Sequence, residues 1–240
     1  LGASPAIFSY YGIIIILAIV NLKYALSSLQ QGEQSVPREM HTTGLFFMGS
    51  QASVAVIGSL DSLFIPGLLD LPSLALYQAA VVPSQLFNII GRAGKYVWVP
   101  EFGRSKNIKM KRLSLIVGIV AVSLLVLLII YARPLLHLLF DGKYDAGANV
   151  LRILAVAGAI RLFYNLASSI IIGKLQKDAL YWHLGVTITM MLIEVGLLIY
   201  MLKSFGVMGA ALTVLIVISL RTVASFFIIN KFKHQLTAAT

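Results

Sequence analysis

Long apolar runs separated by short polar stretches fill almost the whole chain. A bilayer span needs ~20 mostly apolar residues. The pattern supplies seven such runs, at about residues 6–26, 43–65, 74–99, 113–132, 148–172, 180–202 and 208–230. The run 113–132 is plain aliphatic. Most of the others carry polar residues inside their apolar length. In the third run Gln78, Gln85, Asn88, Arg92 and Lys95 recur at i, i+7, i+10, i+14 and i+17. At ~100° per residue these five fall within an arc of roughly 100°, so a helix there has one polar side. Such a side is expensive against lipid, so it is expected to face protein or a wet cavity. The connections are short. Pro66-Gly67 stops the second run, and a loop with Asp70 and Pro72 leads into the third. Arg133–Tyr144 reads as a short amphipathic segment closed by a turn. Gly206-Val-Met-Gly209 reads as a tight turn into the last run.

Composition turns the pattern into a class. Of 240 residues 59% are hydrophobic and 12% charged, with a mean hydropathy of +0.90. A soluble domain has too little interior to hide that much apolar surface. The expected fold is all-α, a polytopic membrane protein with about seven transmembrane helices. The net charge of +10 then reads as loop charge rather than as a nucleic-acid footprint, because no soluble stretch is long enough for a binding domain. Comparing alternate loops sets the topology. One side holds Lys23, Arg38, Arg92, Lys95, Arg104, Lys106, Lys109, Lys111, Arg112, Lys174, Lys177, Lys231 and Lys233, and the other holds Arg133, Lys143 and Lys203. The basic side is expected to be cytoplasmic, which puts the C-terminus inside. The first run then enters from outside without a leader, which suggests that an N-terminal part precedes it.

Intramembrane polar residues are the candidate chemistry, and each has a bland alternative. The stripe of the third run is either a cavity wall offering cations to an anionic substrate, or a set of side chains snorkelling to the interface. Gln78, Gln85, Asn88 and Arg92 are the cavity candidates. Lys95 fits the interface better, beside Tyr96 and Trp98. Asp61 and Glu194 are candidates for coupling to a proton or sodium ion. Asp61 could equally be an interfacial residue capped by backbone. Arg161, Glu194 and Arg221 form an expected intramembrane charge network, with Glu194 paired to Arg161 or Arg221. A proton relay of His183 and Glu194 is the alternative. His137, Asp141 and Asp145 do not make a closed ligand set at their spacing, so no metal is expected. There is no cysteine, which removes thiol chemistry and disulfides. Nothing in the chain matches a nucleophile triad, a zinc-protease helix or a nucleotide loop. No enzyme activity and no cofactor are expected.

With those residues in place, the chain resembles polysaccharide flippases of the multidrug/oligosaccharidyl-lipid/polysaccharide exporter superfamily. The likeness lies in an ordered pattern. A helix bearing Asp61 is followed by one opening Ala75-Leu-Tyr-Gln78-Ala-Ala80 and closing at Val99-Pro-Glu101. A basic loop and an aliphatic span follow. Pro134–Ala148 then leads to Leu151-Arg-Ile-Leu154, and Phe205-Gly-Val-Met-Gly-Ala-Ala211 opens the last span. The resemblance implies one six-helix lobe of a two-lobe transporter at residues 43–230. It also implies the last helix of the other lobe at 1–26, a cytoplasmic connector at 27–42 and a cytoplasmic tail at 231–240. It implies a lipid-linked anionic glycan as substrate, moved across the cytoplasmic membrane for cell-surface polysaccharide synthesis such as O-antigen assembly. Membrane lipids and other polysaccharide-assembly membrane proteins are the implied partners. A drug exporter or peptidoglycan-precursor flippase of the same superfamily is the alternative. An integral-membrane enzyme acting on polyprenyl-linked sugars fits less well, because the external loops are short.

Overall fold

The computed structural model describes residues 60–104, 110–175 and 177–233, all within one compact unit, Met48–Thr240. The run 6–26 and most of 43–65 lie outside the described residues. Residues 60–68 form helix α1. It is followed by α2 (Leu71–Arg104), α3 (Met110–Ile130) and the short α4 (Ala132–Phe140). A 3-10 turn at Asp145–Gly147 then leads to α5 (Ala148–Lys174), α6 (Lys177–Phe205) and α7 (Val207–Lys231). No strand occurs among the described residues. Five of these helices are long and apolar enough to cross a membrane. The class expected from the hydrophobic pattern is therefore the class observed, an all-α polytopic membrane protein.

Local chemistry explains the element ends. α2 begins before its apolar run does. The Asp70 carboxylate accepts the Ser73 amide at 2.7 Å, which caps the helix. Pro72 is tolerated in the first turn, where its missing N–H has no intrahelical partner to lose. The loop expected around Asp70 and Pro72 is thus a cap and a first turn. α4 stops where Asp141 and Gly142 take positive φ, 50° and 78°. Gly206 at φ 58° turns α6 directly into α7. Gly209 lets α7 lie against the Met201 carbonyl, where a Cβ would collide.

α5 is the hub. It packs against α2, α3 and α7, whereas α6 packs along α7 and scarcely touches α5. Two thirds of the apolar window of α5 (67%) is buried. The reason is its sequence: Ala155, Ala157, Gly158, Ala159 and Ala167 are all buried, and small side chains let other helices approach closely. α2 runs parallel to α5 in steady register. Gly147 lies near Leu76, Gly158 under the Phe87 ring, Gly91 beside Asn165, and Gly173 against Val99 and Phe102. A Cβ on Gly173 would sit 2.6 Å from the Val99 carbonyl oxygen. Phe87, Phe102, Leu162, Leu166 and Ile170 fill this contact, with Val117, Ala121 and Leu128 added by α3.

Candidate functional site

The polar stripe of α2 meets α5 through one charged contact. Arg161 donates from Nη1 to Asn88 Oδ1 at 3.0 Å. Asn88 in turn donates to Gln85 Oε1 at 2.6 Å. The register of the glycine seam sets this up: with Gly91 against Leu162 and Asn165, Asn88 falls beside Arg161. Gln85 and Arg92 are exposed, and Asn88 is half-buried. At mid-helix that exposure lies at membrane depth, where exposed polar groups are not left against lipid.

Nearer the α1–α2 turn, the stripe is tied to α1. Tyr77 is buried and donates its hydroxyl to Asp61 Oδ2 at 2.5 Å. Gln78 Nε2 donates to Ser62 Oγ at 2.9 Å. Both pairs join residues sixteen apart, because the chain folds back on itself around residues 69–70. Asp61 is therefore held by a phenol.

A second polar layer lies where α5, α6 and α7 meet. Arg221 donates from Nη2 to the Tyr164 hydroxyl at 3.1 Å, and its guanidinium carbon stands 4.9 Å from the Tyr164 ring centre. The same ring stacks on His183 at 6.2 Å, and His183 Nε2 lies 3.4 Å from Ser168 Oγ. Arg221, His183 and Glu194 are all buried.

The expected ion pair is not made. Among the described residues no ion pair joins Glu194 to Arg161 or Arg221, and Glu194 Oε2 is buried without a hydrogen bond. The reason is geometric. α6 scarcely touches α5, so Glu194 cannot reach Arg161, whose Nη1 is taken by Asn88. Arg221 is engaged elsewhere, with its Nη2 on the Tyr164 hydroxyl and its guanidinium over the Tyr164 ring. A direct His183–Glu194 relay fails too, because eleven residues of one helix separate them by ~16 Å. What remains of the network is longer-ranged. Arg161 and Glu194 lie within electrostatic reach of each other and of Asp61 and Arg221, and Lys95 lies within reach of Arg221. Seam and second layer together thus hold three cations and two carboxylates from five helices.

The opposite charges of the α4 end are used locally. Asp145 Oδ2 takes Arg133 Nε at 3.5 Å and His137 Nδ1 at 3.3 Å. Asp141 does not join them: it terminates α4 in the left-handed conformation. Arg152 donates from Nη1 to Asn149 at 2.9 Å and from Nε to the Ile129 carbonyl at 3.4 Å. That places a cation at the carbonyl end of α3. Outside the spans, hydrogen bonds from Ser73, its hydroxyl first and its amide second, hold Asp70 below its ordinary pKa.

The structure brings Gln85, Asn88 and Arg161 together, and Asp61 with Tyr77. It leaves Glu194 without an ion-pair partner among the described residues and Arg92 exposed. Tyr77 and Tyr164, which hold Asp61 and Arg221, do not stand out in the sequence. Folding residues 60–68 back onto the start of α2 pairs Asp61 with Tyr77 and Ser62 with Gln78, so that signal is present once the hairpin is assumed. No family model, curated protein or solved structure matches this chain. The class that fold and site define is a multi-pass membrane protein with a charged, partly open seam along α2, the longest helix among the described residues.

Proposed function

We propose that the protein is a flippase that moves a polyprenyl-pyrophosphate-linked oligosaccharide across the cytoplasmic membrane. The contact that carries this reading is Arg161 held by the Asn88 carboxamide, beside Gln85 and Arg92. An arginine in a span needs an anion or a polar partner, and here the partner is a neutral side chain that an anionic substrate can replace. A guanidinium binds phosphate oxygens in a fork. The surplus of cations along the seam favours an anionic cargo over a cationic drug. In this reading the seam of α1, α2 and α5 is one wall of the transport path. The basic loops keep the Arg104, Lys174 and Lys231 ends in the cytoplasm, and the proteins that assemble the glycan are its functional neighbours. Asp61 and Glu194 are the carboxylates available for ion coupling.

Export of lipid-linked sugar in cells tests it, with each variant matched for membrane abundance. Arg161→Gln, Arg92→Ala and Asn88→Leu should each lower export about tenfold or more for a lost charge-assisted contact. Wild-type export in all three would remove the seam from the path. Stabilisation of the protein by a peptidoglycan precursor, but not by the oligosaccharide lipid, would move the assignment to a precursor flippase.

A further inference from the structure

The end of the bundle where α6 begins and α7 stops carries a separate feature. The Lys231 ammonium stands 3.7 Å from the centre of the Trp182 ring, a cation–π contact that joins the two helices. Both residues are exposed. From this pair two helix faces run along the bundle, and among the described residues no element covers them. On α7, Phe227, Val223, Leu220 and Ile216 follow Lys231 at steps of four and three residues, and all four are exposed. On α6, Gly185 and Gly196 share the face of Trp182, both exposed, and an added Cβ at either meets nothing within 4 Å. The α6 face is therefore notched beside the indole.

The charge at this end is lopsided. Lys231 and Lys233 stand at the end of α7, and Lys177 opens α6 beside Asp178. Among the described residues no carboxylate forms an ion pair with Lys231. An indole settles at the headgroup level of a bilayer, which fixes the depth of Lys231 beside it. A lysine at that depth, with an apolar face below it and a notch alongside, matches a phosphate attached to acyl chains.

We infer that this corner is a binding site for an anionic phospholipid of the surrounding bilayer. Its phosphate rests on Lys231, with Lys233 beside it. Its glycerol lies at the level of Trp182, and one acyl chain follows the Gly185 notch against Phe227 and Val223. This site is independent of the seam, and it stands or falls separately from the transport reading.

The chain has two tryptophans, so Trp98→Phe leaves Trp182 as the only indole reporter. That protein, reconstituted in neutral phosphatidylcholine, is titrated with brominated phosphatidylglycerol and, separately, with brominated phosphatidylcholine. The anionic lipid should quench Trp182 at a mole fraction about fivefold lower, the advantage that one cation near an anionic surface supplies. Lys231→Gln should abolish that advantage. Gly185→Leu, which has open space for its side chain, should weaken quenching by both lipids while leaving the helical circular dichroism unchanged. Equal quenching by the two lipids in the parent would overturn the inference. So would an advantage that survives Lys231→Gln, or quenching indifferent to Gly185→Leu.

Discussion

α5 and α3 are neighbouring helices of the same bundle, and they meet opposite surroundings. Two thirds of the apolar window of α5 is buried (67%), against 17% for α3. α3 is the more uniformly aliphatic of the two, with Leu115, Ile116, Ile119, Val122 and Val126 exposed along it. α5 carries Arg161, Asn165, Ser168 and Ser169, and a run of alanines and glycine. In a bilayer the apolar helix is the one left outside, because lipid tails are as apolar as leucine and offer no reason to bury it. The helix with small and polar residues is drawn inside, where backbones can meet closely and charges find partners. Among the described residues hydrophobicity therefore marks the edge of the bundle, and its relative absence marks the centre.

The largest expected effect strikes the centre where nothing can move. In Gly173→Leu the new Cβ meets the Val99 backbone carbonyl. Unfolding in detergent, followed by circular dichroism, should show a loss of about 3 kcal/mol. Retention of wild-type stability would mean that α2 and α5 are not in the register described. A truncation pair sets the two helices side by side. Leu162→Ala in α5, where Leu162 is 1% exposed, should cost about 2–4 kcal/mol through the cavity it leaves. Ile119→Ala in α3, 59% exposed, should stay within about 0.5 kcal/mol. Equal losses would erase the distinction between hub and edge.

The smallest effect lies at the start of α2. Asp70 is held below its ordinary pKa of 3.8 by Ser73, so its cap stabilises the folded state above that value and is lost as pH falls through the depressed folded value. Exchange protection of the Ser73 amide, taken relative to its intrinsic rate, should be present at pH 6 and fade below 3.8. In Asp70→Ala it should be absent at both. Protection that ignores pH would remove the cap from the account.

The span pattern was legible because length and hydropathy alone decide it. Every expected span that falls wholly within the described residues holds one long helix, extended at one or both ends, except that the run 113–132 stops at Ile130 and gives its last residue to α4. The early start of α2 was hidden by the prolines and the polar cap, which hydropathy reads as loop. The polar arc of α2 was legible from its period, and Asn88 and Gln85 do bond within it. The Glu194 pair was misread for a physical reason. Periodicity says which residues share a face of one helix, but not which helix stands opposite. Small-residue packing decides that: it seats α5 against α2 and α7 and leaves α6 only a slight contact with α5, while Arg221 is taken up by Tyr164. Tyr77 and Tyr164 escaped notice because a tyrosine in a span is ordinary until its hydroxyl is seen on a carboxylate or a guanidinium.

The central claim is that the α2 stripe faces water or protein polar groups at membrane depth, and not lipid. The chain has no cysteine, so single cysteines can be introduced without further changes. Gln85→Cys and Ile119→Cys, in membranes treated with a water-soluble, membrane-impermeant maleimide from each side in turn, compare the seam with the lipid edge directly. The account predicts that Cys in place of Gln85 is labelled and Cys in place of Ile119 is not. Labelling of neither, or of both alike, would contradict it.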